Sequence, residues 1–207
     1  MKFYYAPWAC SFGIHVVLEE IGRPYEAIAV DFKNNAQYSP EYIAVNPKSK
    51  VPALVRDDGS LLTEFPVIAM WLARAHRERG GGRPDREGEP RGAEMLNYLG
   101  GPVPPGAFAR QFRPGRFTPT EADLPKIVEE GKNYATRYFN TIEQGWTGGD
   151  WVLPSGYSVA DAALFFVEYW GVKRSGMTLP PHLAKHFAPM MARPAVQRAL
   201  TAEGMAL

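Results

Sequence analysis

The chain has 207 residues, 45% of them apolar, enough for one large domain or two small ones sharing an interface. Lys and Arg number 23 against 22 Asp and Glu, and the net charge of +1 excludes a global field that would recruit nucleic acid or an anionic membrane. A single cysteine, Cys10, excludes an intrachain disulfide and points to a reducing, cytoplasmic setting. The opening Met1-Lys2-Phe3-Tyr4-Tyr5 runs into a strand pattern with no long apolar region of a signal peptide, and the longest apolar run, Ala162 to Val167, is too short to span a bilayer.

In chain order, Lys2 to Tyr5 reads as a short aromatic strand and Pro7-Trp8-Ala9 as a loop. From Ser11, Ile14, Val17, Leu18 and Ile21 recur at helical spacing until Gly22 and Pro24 stop them. Tyr25 to Val30 is a second strand. Ser39-Pro40 is a capping side chain followed by proline at the first helical position, and Asn46-Pro47 ends that helix early. Ala53 to Val55 and Leu61 to Thr63 flank Asp57-Asp58-Gly59-Ser60, a hairpin signal. Pro66 to His76 is a helix with Val67, Ile68, Trp71 and Leu72 on its apolar face. A β-α-β unit followed by a β-β-α unit is a thioredoxin-like arrangement with a mixed sheet.

Residues 77–92 are charged and rich in Gly and Pro, a linker by composition. Beyond them no strand pairs are evident. Leu124, Ile127, Val128, Tyr134, Ala135, Tyr138, Phe139 and Ile142 predict a long amphipathic helix. Ser158-Val159-Ala160-Asp161 opens another, and Leu183 to Met191 and Ala195 to Ala202 fit two shorter ones. The expectation is α/β plus all-α: a thioredoxin-like N-terminal domain over 1–76, a linker over 77–92, and an all-helical C-terminal domain over 93–207.

Some residues carry chemistry on their own terms. Cys10 precedes the first helix, where exposed amides and the dipole favour an anion and lower a thiol's pKa; a small buried apolar cysteine is the competing reading. Glu64 precedes a helix N-terminus, a ready carboxylate site, or else is a charge that merely complements the dipole. Ser158 with Asp161 reads as a capping box with a folding role alone.

Tyr5-Ala6-Pro7-Trp8-Ala9-Cys10-Ser11, Val45-Asn46-Pro47-Lys48-Ser49-Lys50-Val51-Pro52-Ala53-Leu54, Leu62-Thr63-Glu64, Glu94-Met95-Leu96-Asn97-Tyr98, Ser158-Val159-Ala160-Asp161-Ala162 and Arg193-Pro194-Ala195-Val196-Gln197-Arg198-Ala199-Leu200, in this order, resemble the glutathione transferases, and specifically the bacterial beta class. The resemblance spans essentially the whole chain. It implies a homodimer that takes glutathione as co-substrate and conjugates it to small hydrophobic electrophiles, without metal, nucleic acid or membrane. Cys10 and Ser11 are then the candidate thiolate-stabilising donors. Val51, before a cis Pro52, pairs with the cysteinyl part of glutathione; an ordinary trans proline is the alternative on base rates. Glu64 and Phe65 lie at the γ-glutamyl end, and Asn97 on the helical side. The electrophile would rest against Trp8, Phe108, Phe112 and Tyr98, although such aromatics also build cores.

Three departures stand out. Phe65-Pro66 follows Glu64 where the family has a small residue, often serine. Gly100-Gly101-Pro102-Val103-Pro104-Pro105-Gly106 carries neither the histidine nor the lysine of the beta-class site and is expected to break the helix into a loop. The segment Phe32 to Tyr38 is short, leaving Lys33 as the nearest candidate for a glutathione-contacting lysine. Besides conjugation, two functions therefore compete: a catalytically weak binding or scaffold protein, and a monothiol redox enzyme using Cys10.

Overall fold

The structure, a computed structural model, describes residues 1–76, 88–147 and 149–205. A four-stranded sheet of order β2-β1-β3-β4 comprises β1 (Lys2–Tyr5), β2 (Glu26–Ala29), β3 (Ala53–Val55) and β4 (Leu61–Thr63). β1 runs parallel to β2, with Phe3 opposite Ala27, and antiparallel to β3, with Phe3 opposite Leu54; β3 and β4 form the expected hairpin. α1 (Ser11–Ile21) makes the crossover from β1 to β2 and ends at Gly22 in the left-handed conformation (φ 65°). α2 (Pro40–Val45) is capped by the Ser39 hydroxyl, which accepts from the Tyr42 amide at 3.2 Å. Phe32 to Tyr38 forms two 3-10 turns. α3 spans Phe65–Ala75, so Phe65 opens the helix and Pro66 sits in its first turn, where a missing N–H costs nothing.

The helical half comprises α4 (Gly88–Gly100), α5 (Ala109–Phe112), α6 (Leu124–Gln144), α7 (Val159–Tyr169), α8 (Pro181–Ala192) and α9 (Pro194–Ala202). Of the expected linker, residues 77–87 lie outside the described residues, and 88–92 belong to a helix instead. Proline at position 90 falls in the first turn of α4, where it is tolerated, and Gly92 is buried, with a Cβ there 3.5 Å from Leu153 Cδ1.

The loop expected over Gly100 to Gly106 is also corrected. The chain turns at Gly101 and Pro102, then resumes as a wide helical turn over Pro104–Phe108 that runs into α5. Pro102, Pro104 and Pro105 have no N–H to offer an α-helical ladder. Gly106 N–H donates to Pro102 O at 2.9 Å, four residues back as in an α-helix, whereas Ala109 N–H reaches the carbonyl of Pro104, five residues away. The helix break expected here is therefore confined to Gly101 and Pro102, and beyond it the prolines widen a helical turn in place of the expected loop.

One continuous core joins both halves. Phe12 on α1 meets Phe165 and Tyr169 on α7, with ring centroids 6.0 and 5.4 Å apart. Phe65 is 4% exposed and packs against Phe166 at 5.2 Å. Backbones come close enough to admit it. A Cβ on Gly13 would stand 2.8 Å from Phe65 Cε2, and one on Gly100 would stand 3.4 Å from Phe65 Cδ1 and 3.3 Å from Pro66 Cγ. The Phe65-Pro66 departure and the glycine that ends α4 are thus two sides of one contact. A second, smaller cluster of Ala6, Val30, Tyr42 and Val51 lies apart from this core and supports the loops described next.

The Ser158–Asp161 capping box forms as expected: Ser158 N–H donates to Asp161 Oδ2 at 2.7 Å and the Ser158 hydroxyl accepts from Ala160 N–H at 3.2 Å. It extends into a buried network absent from the sequence reading. His186 on α8 contacts Asp161 Oδ1 at 3.3 Å through Nε2 and Glu168 Oε2 at 2.9 Å through Nδ1, all three residues fully buried. Burial alone would lower His186, but Glu168 and Asp161 outweigh it and raise the imidazole to about 9.

Candidate functional site

Three segments of the N-terminal half converge, and each contains a non-glycine residue at positive φ: Trp8 (63°) before α1, Ser49 (54°) before β3 and Glu64 (70°) before α3. Such conformations cost of order 1–3 kcal/mol each and cluster where a backbone must be held for function. No composition signal announces them.

The Ser49 segment is built from Asn46, which is almost wholly buried. Its side-chain amide donates to Lys50 O at 2.8 Å while its Oδ1 accepts from Lys48 N–H at 3.1 Å; the Tyr42 hydroxyl also donates to Lys50 O at 2.7 Å. With Lys50 fixed from two sides, the Val51–Pro52 peptide is cis, and Val51 presents its main chain beside Cys10. The Cys10 thiol donates to Val51 O at 3.7 Å. This brings Cys10, Val51 and Pro52 together, as the resemblance implied.

Cys10 caps α1 and is partly exposed. The expected acidification is not found. Burial pushes the thiol up, the amides of Cys10 and Ser11 pull it down, and the balance raises it to about 11. At neutral pH the sulfur is a protonated donor. Ser11 does not share this role: its hydroxyl is fully buried, accepts from Ala6 N–H at 3.2 Å and donates to Ala6 O at 3.3 Å, pinning the turn between β1 and α1.

At α3, Glu64 is exposed and held by Lys48, whose Nζ donates to Glu64 Oε1 at 2.7 Å and Thr63 Oγ1 at 2.8 Å. Lys48 and Glu64 are each more than half exposed, so the pair contributes little to stability and is free to rearrange around a ligand. Phe65 offers the site only its backbone, since its ring belongs to the core. Lys33 is exposed in a 3-10 turn with its N–H on Asp31, and no contact joins it to Cys10, Val51 or Glu64; Lys48 is the lysine that stands there. Asn97 is exposed on α4, its amide donating to Ala93 O at 2.9 Å in its own helix.

Of the aromatics expected at the electrophile side, Phe108 is core, packed on Phe139 and Trp170, and Tyr98 packs edge-on against Tyr138. Trp8 and Phe112 are partly exposed and joined by Arg174, whose Cζ lies 5.8 Å from the Trp8 ring and 3.8 Å from that of Phe112. Among the described residues no group of His, Cys, Asp and Glu could hold a metal ion, and no helix is long and apolar enough to cross a membrane.

The fold therefore sets a cysteine at the first helix of a thioredoxin-like sheet, a cis proline beside it and a helical half behind. Residues 9–75 match the family model for the N-terminal domain of glutathione S-transferase. The chain is 34% identical over 208 residues to glutathione S-transferase GstA of Escherichia coli O157:H7, covering 99% of this chain and all of that protein. It is 26% identical to the disulfide-bond oxidoreductase YfcG of Escherichia coli K12, over 97% of this chain and 94% of that one. A glutathione transferase homologue from Sulfitobacter, solved with bound glutathione, superimposes with a TM-score of 0.88 at 26% identity, over 99% of this chain and 98% of that one. The chain belongs to the glutathione S-transferase family.

Proposed function

We propose that this chain conjugates glutathione to small hydrophobic electrophiles, with Cys10 as a neutral hydrogen-bond donor to the glutathione sulfur. The observation that carries this is the Cys10 thiol, raised to about 11 and resting 3.7 Å from Val51 O. In the family's binding mode the Val51 main chain pairs with the cysteinyl backbone of glutathione. The incoming N–H then takes the carbonyl to which Cys10 donates, and the S–H turns to the sulfur of the ligand. A donor at that point favours the ionised form of the glutathione thiol over the neutral one. The γ-glutamyl carboxylate lies at the first turn of α3, where Phe65 and Val67 have no intrahelical acceptor for their amides. The ligand's ammonium meets Glu64, and Lys48 swings toward the ligand carboxylate. In this reading the protein works as a homodimer in the cytoplasm, as the resemblance implies.

The measurement is the thiolate absorbance of bound glutathione against pH. Wild type should ionise it below the free-thiol value of about 8.5, and Cys10→Ala should return it toward that value. Bound glutathione that titrates like the free thiol in both forms refutes the assignment.

A second reading is glutathione-dependent disulfide reduction by a monothiol route, the activity named for the YfcG relative. With one cysteine in the chain, any disulfide on Cys10 must be resolved by glutathione itself. A thiol raised to about 11 supplies little thiolate at neutral pH, which favours conjugation over this route. The scaffold reading stands or falls on whether glutathione binds at all.

A further inference from the structure

Several arginines meet a carboxylate: Arg56, after β3, with Asp58, Arg193, between α8 and α9, with Glu20, and Arg198, on α9, with Glu19. Two that lie on aromatic rings of the N-terminal half do not. Arg174, at the end of the helical stretch that continues α7, lies on Trp8 and Phe112. Arg113, directly after α5, has its Cζ 5.9 Å from the ring of Phe32, in the segment that follows β2. Among the described residues neither guanidinium has a carboxylate within 4.0 Å or a hydrogen-bond acceptor for its N–H groups. Burial lowers both below the usual arginine range. The charge of Arg113 adds to this at Arg174, and that of Arg116 adds to it at Arg113. Like charges are gathered here, and only Tyr38 acts in the opposite sense, at Arg113. Both side chains are nonetheless exposed, so their donors are open to a ligand.

We infer that Arg174 and Arg113 form an anion subsite for the second substrate, and that the preferred electrophiles are aromatic or unsaturated carboxylates. This rests on the transferase reading above. Trp8 stands in the turn that leads into Cys10 and α1, and the inference places a planar body beside Trp8 and Phe112 with its carboxylate on the Arg174 guanidinium that rests on both rings. A guanidinium matches a carboxylate through two parallel N–H bonds, and its stacking on an aromatic ring fixes the plane in which they point. The arrangement supplies what the missing beta-class histidine and lysine do not: positive charge on the electrophile side, placed to select the substrate and not to transfer a proton.

The test uses unreactive probes on the full chain. 3,5-Dinitrobenzoate and neutral 1,3-dinitrobenzene are titrated calorimetrically into wild type, Arg174→Gln and Arg113→Gln, with and without saturating glutathione. Arg110→Gln is the control, because Arg110 already donates to the Pro105 and Gly106 carbonyls and rests on Phe117 and Tyr134. Wild type should prefer the benzoate by about tenfold or more, a preference that Arg174→Gln and Arg113→Gln each reduce by about tenfold while the control keeps it. The preference should also shrink as salt is raised. Equal affinity for the two probes in wild type, or an undiminished preference in both of those variants, overturns the inference. So does a loss of glutathione affinity in Arg174→Gln or Arg113→Gln, which would make these arginines part of the glutathione site. Failure of wild type to bind glutathione refutes the transferase reading separately, and the benzoate comparison in the free chain still decides the subsite.

Discussion

Replacing Phe65 by serine restores the residue expected of the family, and here it should damage the fold without improving the site. The ring is 4% exposed and fills space between Gly13, Gly100 and Phe166. Removing a phenyl group from such a place costs about 3–5 kcal/mol. For a chain of this size that is a fall in Tm of about 10 °C, at about 2–4 °C per kcal/mol. The structure also predicts a coupling. Gly13→Ala in wild type drives a methyl to within 2.8 Å of the Phe65 ring, an overpacking that costs about 1–3 kcal/mol. In the Phe65→Ser background that clash is gone, leaving the Phe166 ring at 2.9 Å on one side only, and alanine gains about 1 kcal/mol of helix propensity over glycine. A double-mutant cycle by denaturant unfolding should therefore show the pair less damaging than the sum of the singles by at least about 1 kcal/mol. Additivity within about 0.5 kcal/mol would refute the packing argument. Glutathione affinity should change less than twofold in Phe65→Ser once folded protein is selected, because only the Phe65 backbone faces the site.

Further outcomes follow from the same geometry. Cys10 in the free chain should be alkylated with a pH midpoint near 11; a midpoint at or below the free-thiol value of about 8.5 would reinstate the helix-dipole expectation. Lys48→Met should weaken glutathione binding by about five- to tenfold in calorimetry while leaving Tm within a degree or two, since the Lys48–Glu64 pair is solvent-exposed; unchanged affinity counts against Lys48 as a ligand contact. His186→Ala should destabilise by about 3–5 kcal/mol, because it strands Asp161 and Glu168 without their cation. In wild type, the imidazole's folded value of about 9 lies above the unfolded value of about 6.5. Its contribution is therefore fully present below pH 6.5 and fades as pH rises toward 9. An unfolding free energy that stays flat between those values would contradict the charged network.

The sheet and most helices were legible because each depends on local chemistry. The Ser39-Pro40 start, the Gly22 stop, the hairpin around Gly59 and the Ser158–Asp161 box are written in a few adjacent residues, and the structure contains each of them. Cys10 and Glu64 were marked by their helix starts, but their roles, and Val51 altogether, came from the family resemblance; periodicity says nothing about which loops meet. What sequence missed was decided by partners far along the chain. Ser11 looked like a second sulfur donor because it neighbours Cys10, but its hydroxyl turns inward to Ala6. Lys33 was chosen by proximity to a family position, whereas Lys48 reaches Glu64 from 16 residues away through the Asn46 turn. Cys10 was expected to be acidic from its helix end alone, and the desolvation that reverses the sign comes from the surrounding fold.

The same distinction bears on the departures. Read along the chain, Phe65-Pro66 and Gly100 to Gly106 are two separate losses at a catalytic site. In three dimensions Pro66 and Phe65 touch the position of Gly100, and the kink at Gly101 and Pro102 begins where that contact ends. A large residue at the start of α3 requires a small one on α4, and the turn that follows redirects the chain through α5 to Phe112 and Arg113. Phe112 carries Arg174, which also rests on Trp8, and Arg113 rests on Phe32. If Arg174 and Arg113 select the second substrate as inferred above, a histidine restored at 101 or 103 without also changing Phe65 and Arg174 meets a wall that favours a carboxylate.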